Sequence, residues 1–252
     1  MLFALGAGGR VVGVTNFCHY PKQARALPKI GSYTQPNLET ILALRPDLVV
    51  IQKNPIRLGE RLAALKLNVL ELDYDNVAGI YGSISRLGEA IGAGDDARTL
   101  AASIRTRLDG VRASVAAFPR RRVLFVVGRT PGTMEGLMAA GGRSYLSEII
   151  ELAGGDNVFA GSSIPYPRIG LEEVIARKPE VVIDMGDMAQ TEGVTEARKR
   201  AVAVLWSRYQ VLPAVRAGRV FPVASDELVV PGPRVVEAAR MIARMIHPEA
   251  RF

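Results

Sequence analysis

Short blocks of consecutive β-branched and aliphatic residues alternate along this chain with longer stretches whose apolar positions recur every three or four residues. Val11–Val14, Leu48–Ile51, Val69–Leu72, Val123–Val127, Val181–Ile183 and Arg219–Val223 are blocks of the first kind and read as strands. They are mostly continuous rather than alternating, as expected of parallel strands covered on both faces. The second pattern predicts helices over 38–44, 57–66, 76–91, 144–153, 171–177, 195–209 and 233–246. Strands and helices in alternation predict an α/β fold.

Residues 95–117 differ from the rest. Leu100, Ile104, Leu108, Val111 and Val115 place one apolar face on a long helix, with arginines around the remainder. Asp95 or Asp96 is a candidate cap at its start, and Pro119 follows its end. At 1.5 Å per residue such a helix spans roughly 35 Å, the width of a small domain. It reads as a rigid strut between two lobes. The expected organisation is an N-terminal lobe over 1–94, a connecting helix over 95–118 and a C-terminal lobe over 119–252. The lobes echo one another. LETILALRPDLVV from Leu38 and LEEVIARKPEVVI from Leu171 share leucine, glutamate, alanine, proline and valine in register, at an offset of 133 residues. Each is a short helix that breaks before a proline (Pro46, Pro179) and leads into a strand.

The amino end reads as the last turn of a buried helix, MLFAL, stopped by Gly6. No earlier strand and no signal peptide precede it, so the expectation is a chain that begins inside a fold. The single cysteine, Cys18, excludes an internal disulfide. Basic residues exceed acidic ones by 32 to 25, giving a net charge of +7. The arginines are scattered over amphipathic helices, and no aromatic-interleaved basic stripe accompanies them. Solvated surface charge is therefore expected, not nucleic-acid binding.

The chemistry of an enzyme is hard to build from this sequence. There is no G-x-x-x-x-G-K-[ST] phosphate loop and no G-x-S-x-G nucleophile turn. Gly6-Ala7-Gly8-Gly9 precedes a strand instead of following one, which excludes a dinucleotide fingerprint. Only two histidines exist, His19 and His247. The distinctive features are loops beside the strand ends, where ligands bind in open α/β sheets. These are Asn16-Phe17-Cys18-His19-Tyr20, Ser32-Tyr33-Thr34-Gln35, Gln52-Lys53-Asn54, Thr130–Glu135, Ile164-Pro165-Tyr166-Pro167-Arg168 and Asp226–Arg234. Tyr33 and Tyr166 each stand six residues before a glutamate, Glu39 and Glu172, so the echo carries an aromatic in each half. Aromatics facing each other across a cleft would grip a large flat ligand. Cys18-His19 reads either as a soft metal contact or as a thiol beside a histidine that bonds backbone, and Trp206 reads as core packing.

Together with SYLSEIIELAGGDNVF, IPYPRIGLEEVIARKPEVVI, LPAVRAGRVFPV and PGPRVVEAARMIA, the stretch from Val11 to Val50 resembles the solute-binding proteins of ABC importers for cobalamin, haem and ferric siderophores. The resemblance implies a class III periplasmic-binding-protein-like α/β fold: two lobes with parallel sheets joined by one long rigid helix. Relatives of this kind begin with a further strand that is missing here. It also implies a monomer that is not an enzyme, lies in the periplasm or otherwise outside the cytoplasm, and leaves lipid anchoring open. The implied partners are an ABC permease with its ATPase subunits and a small metal complex. The expected cargo is a corrinoid, with haem or a ferric chelate as alternatives and no intrinsic cofactor. By motif position, Phe17, Tyr33, Lys53, Tyr166, Asp226 and Arg234 would line the ligand. Tyr33, His19 and Cys18 are the candidate axial contacts to a metal, and Lys53 departs from cobalamin binders, which can carry tryptophan there. Glu39 and Glu172 would meet permease arginines, with Glu173 the alternative in the second half. A small-molecule enzyme built on Cys18-His19 is the competing class.

Overall fold

The computed structural model describes residues 1–53, 56–186 and 194–251. Asn54 lies outside them. The chain divides into two compact units, Met1–Tyr74 with Ala78–Ala102, and Asp75–Val77 with Ser103–Phe252.

The first unit opens with the 3₁₀ turn Leu2–Leu5, closed by Gly6 in the left-handed region at φ 73°, as the sequence predicts. A second turn covers Gly8–Arg10. Then come α1 (Lys22–Arg25), α2 (Leu38–Ala43), β1 (Val49–Gln52), α3 (Leu58–Ala64), β2 (Val69–Leu72) and α4 (Val77–Ala90, whose first residue counts with the second unit). β1 and β2 pair in parallel, Val49 opposite Val69 through Gln52 opposite Leu72. Ile41, Val49, Leu58 and Leu62 form the buried cluster between this ribbon and its helices. The strand expected at Val11–Val14 is reduced to a single bridge, Val14 to Lys29. The Val14 amide donates to the Pro28 carbonyl and the Ile30 amide to that of Val14. Val11 and Val12 have the composition of a strand but, among the described residues, no paired neighbour to complete one.

The long helix α5 runs Gly94–Val115. Its start at Gly94 places Asp95 and Asp96 inside the first turn, where their charge suits the helix dipole, and not at the cap position the sequence suggests. Ile104, Leu108, Val111 and Val115 are all buried, so the predicted apolar stripe faces packing over its length in the second unit.

The second unit continues with β3 (Arg121–Gly128), β4 (Met138–Ala139), α6 (Tyr145–Leu152), β5 (Gly155–Asn157), α7 (Leu171–Arg177), β6 (Val181–Asp184), α8 (Glu196–Ser207), α9 (Pro213–Arg216), β7 (Val220–Pro222), α10 (Asp226–Val229) and α11 (Val235–Ile246). β4, β3, β6 and β7 lie in that order, and β5 also pairs with β3. Every pairing is parallel except the short antiparallel β3–β4. β3 and β6 are continuous apolar runs because both of their faces are covered. Leu124, Val126 and Val182 pack with Val174, Val202 and Trp206 on one face. On the other, Val123, Ile150 and Ile246 meet around Gly155, where a Cβ would strike all three. β4 and β5 escape a sequence reading because a two- or three-residue strand carries no periodicity.

Candidate ligand loops and the helix-start glutamates

In the first unit the loop after Val14 turns sharply. The Cys18 amide donates to the Thr15 carbonyl, the His19 amide to that of Phe17, and the Arg25 guanidinium caps the His19 carbonyl at 3.0 Å. Phe17 is left 51% exposed, a large apolar ring in solvent. Cys18 is half-buried, with its Sγ 3.2 Å from Thr15 Oγ1. No group of three or more His, Cys, Asp or Glu able to hold a metal occurs among the described residues. The Tyr33 loop is closed by mutual bonds between Ser32 and Gln35. At its base Gly31 sits at φ 89°, where a Cβ would strike the Gln35 carbonyl and the Asn37 amide. The Tyr33 hydroxyl donates to the Lys53 carbonyl at 3.0 Å, which brings the loops carrying Tyr33 and Lys53 together. Lys53 itself is exposed.

In the second unit the Tyr166 loop is laid as an extended strip along the sequence before and after β4. The Gly141 amide donates to the Pro165 carbonyl, the Ala139 amide to that of Pro167, and the Ile169 amide to that of Leu137. Gly141 is required here, because a Cβ would lie 2.1 Å from the Ile164 carbonyl oxygen. A backbone fastened at three points holds Tyr166 in place with 38% of its surface exposed. Burial of the hydroxyl end and the nearby Asp75 carboxylate push its pKa up, so it stays a phenol. Tyr145 is buried, its hydroxyl donating to the Leu228 carbonyl, and burial followed by Tyr166 raises it further.

The late loop is anchored through the same carbonyl. Arg234 donates to Glu227 at 2.7 Å, and Ser225 bonds the same carboxylate. Partial burial alone would raise Glu227, but the Ser225 hydroxyl, the backbone and the Arg234 cation outweigh it and hold the carboxyl below its usual range. Arg234 is thus engaged by a neighbour the sequence reading passed over. Asp226 begins α10 and is half-buried.

A second feature missed in the sequence lies where β3 and β6 end. Asp184 and Arg129, both with fully buried side chains, face each other at 3.7 Å. Asp184 also accepts from Trp206 Nε1 at 2.5 Å and from the Gly186 amide at 2.7 Å. Arg129 reaches on to the Thr133 carbonyl at 3.1 Å and so holds the Thr130–Glu135 loop. Trp206 is core, as predicted, and a hydrogen-bond donor as well. The available signal was a charged residue ending each of two apolar strands.

Glu39 and Glu172 both lie exposed in the first turn of short helices, α2 and α7. Glu173 is held by Arg177 at 2.7 Å, while Glu172 has no such ion pair among the described residues.

Residues 1–227 match the family described as periplasmic binding protein. The chain belongs to that family. Its relatives include the vitamin B12-binding protein of Yersinia pestis (strain Pestoides F), 27% identical over 248 residues that cover 98% of this chain and 82% of the relative. The structure of the periplasmic vitamin B12 binding protein BtuF of Vibrio cholerae superposes with a TM-score of 0.80 at 26% identity, covering 98% of this chain and 92% of the other. The periplasmic haem-binding protein BhuT, solved with two haems, gives 0.80 at 27% identity over 98% and 93%. This periplasmic binding protein therefore shares its α/β architecture with proteins that bind vitamin B12 or haem.

Proposed function

We propose that the protein is the extracytoplasmic solute-binding component of an ABC importer, that its cargo is a metal–tetrapyrrole or metal chelate, and that a cobalamin-type corrinoid is favoured. The observation that carries this is the trio of exposed aromatics, Phe17, Tyr33 and Tyr166, each on a loop stiffened by backbone hydrogen bonds. Rigid rings exposed in this way suit stacking against a flat, largely apolar ligand at little cost in conformational entropy. Lys53, Asp226 and Arg234 supply the polar contacts that would orient the ligand's peripheral amides or carboxylates. Vitamin B12-binding relatives that span nearly the whole chain support the corrinoid over its alternatives.

Haem is the second reading, because a structurally similar protein binds it. Tyr33 is engaged as a donor to the Lys53 carbonyl, which favours a stacking wall over an iron-bound phenolate. His19 and Cys18, without a cluster of further ligands among the described residues, add little to axial coordination. The domain reading of a lobe over 1–94, a connecting helix over 95–118 and a lobe over 119–252 goes with this proposal. So does delivery to a permease through Glu39 and Glu172.

Titrating the purified protein with cyanocobalamin, haemin and a ferric siderophore panel, followed by absorbance and calorimetry, tests the assignment. Saturable one-to-one binding of cyanocobalamin is expected, weakened roughly tenfold or more by Tyr33→Ala or Tyr166→Ala. Binding of haemin or a siderophore without cyanocobalamin would replace the corrinoid reading, and binding of none would overturn the cargo class.

A further inference from the structure

The basic residues of this chain are not evenly matched by acids. On α5, Arg98 pairs with Asp95 and Arg112 with Asp109. The run that leads into β3 is matched residue by residue, Arg120 with Asp156, Arg121 with Glu249 and Arg122 with Glu180. Between Glu196 and Asp226 the balance is different. That stretch carries six basic residues and no acidic one, against a net charge of +7 for the whole chain. Lys199 meets Glu196 at 2.8 Å, and Arg200 has only the longer-range field of the same carboxylate. Arg208 has no ion-pair partner among the described residues.

The fold turns this charge outward. Val202 and Trp206 bury one face of α8 in the core of the second unit. The opposite face carries Ala197, Arg200, Ala201, Val204 and Arg208, and all five are exposed. Arg200, Val204 and Arg208 follow one another at successive turns, a row about 12 Å long. Val204 is 58% exposed, and Val211, just past the helix, is 57% exposed. Arg216 of α9 donates to the Gln210 and Val211 carbonyls at 3.1 Å, so a third cation stands beside the second valine. Those acceptors are neutral and leave its charge uncompensated. The aromatics of this region, Trp206 and Tyr209, pack against the core instead.

We infer that the outward face of α8, continued by Val211 and Arg216, is an interaction surface for an anionic lipid bilayer. Arg200, Arg208 and Arg216 meet the headgroup phosphates, and Val204 and Val211 enter the boundary with the acyl chains. Apolar side chains set among cations are the pattern of a surface that lies in a membrane interface. A nucleic-acid surface would instead present aromatic rings for bases to stack on, and here the rings point inward. With two valines the attachment is weak, reversible and dependent on salt. The inference stands apart from the cargo assignment, since no residue proposed to hold cargo or to meet a permease lies on this face. It would keep the protein close to a membrane whatever ligand it carries.

Flotation of the full chain with lipid vesicles is the test. Phosphatidylcholine vesicles containing about one-third phosphatidylglycerol should bind it at low ionic strength, and pure phosphatidylcholine vesicles should not. Raising the salt to about 0.5 M should release it. Arg200→Glu with Arg208→Glu should weaken binding about thirtyfold or more, because each basic residue near an anionic surface is worth about fivefold in affinity. Arg98→Glu with Arg112→Glu makes the same change in net charge where carboxylates already stand beside the arginines, and should weaken binding by no more than about threefold. Val204→Ser with Val211→Ser should weaken it about fivefold and leave the salt dependence unchanged. All these side chains are exposed, and an unchanged thermal midpoint confirms that each variant is folded. No binding to the anionic vesicles, equal binding to neutral ones, or equal losses from the two arginine pairs would each overturn the inference. Indifference to the valine changes would overturn it too, as would tighter binding to a single-stranded oligonucleotide at the same salt.

Discussion

The segments starting at Leu38 and Leu171 echo one another in sequence, and their local backbones follow the same course. Each forms a short helix with its glutamate in the first turn, Glu39 or Glu172. Each then passes through a non-glycine residue in the left-handed region at the same place, Arg45 at φ 45° and Lys178 at φ 49°, immediately before the proline. Even the aromatics upstream match, with Tyr33 40% and Tyr166 38% exposed. The strands that follow do not. β6 lies between β3 and β7 with all four residues buried, whereas β1 has one neighbour among the described residues and a single buried residue. The residue standing at the place of Asp184, with its buried Arg129 and Trp206 partners, is the half-buried Ile51. Local sequence sets the helix, the cap and the turn, and the neighbours set what the strand is worth.

The largest asymmetry should appear at that pair of positions. Asp184→Ala leaves Arg129 as a buried cation and Trp206 without its acceptor, and should cost about 3–5 kcal/mol. Ile51→Ala should cost only about 1–2 kcal/mol, because part of that side chain is already in water. Urea denaturation of both variants checks the contrast, and equal losses would mean that the environment of β6 is no more demanding than that of β1.

The two helix starts should instead behave alike. Under the proposed docking, Glu39→Arg with Glu172→Arg would place like charges against permease arginines, at a cost of several kcal/mol across an interface. Transport in reconstituted vesicles should fall to background while ligand titrations stay at wild-type values. Either single reversal should be intermediate. Undiminished transport by the double variant removes the docking role, and lost ligand binding would place these carboxylates on the ligand surface.

The smallest effect probes the shared turn. A left-handed residue with a side chain costs about 1 kcal/mol or somewhat more relative to glycine. Arg45→Gly and Lys178→Gly should each stabilise the protein by close to that amount, and by similar amounts, despite the different burial of the strands they precede. A clear inequality in thermal midpoints would show that the turn is coupled to the sheet.

Much of this was legible in the residues. The strand blocks at 48–51, 69–72, 123–127, 181–183 and 219–223, the apolar stripe of α5 and the Gly6 stop are local patterns that the chain enforces wherever it packs. The echo was legible too, and so were the loops that carry Phe17, Tyr33 and Tyr166. Val11–Val14 shows the limit, since β-branched composition prepares an extended segment and only a partner backbone makes it a strand. The Arg129–Asp184 pair, the clasp of Arg234 by Glu227 and the fastening of Pro165 and Pro167 beside β4 join residues 7 to 55 positions apart or couple them through backbone atoms. No side-chain periodicity encodes such contacts. By itself, the sequence determined which segments are extended or helical and which turns lie between them, because those follow from propensity, caps and spacing. Which strands gain two neighbours, which charges are buried together and which edges remain open were decided by the tertiary structure, because burial and pairing are properties of what lies alongside a segment and not of the segment.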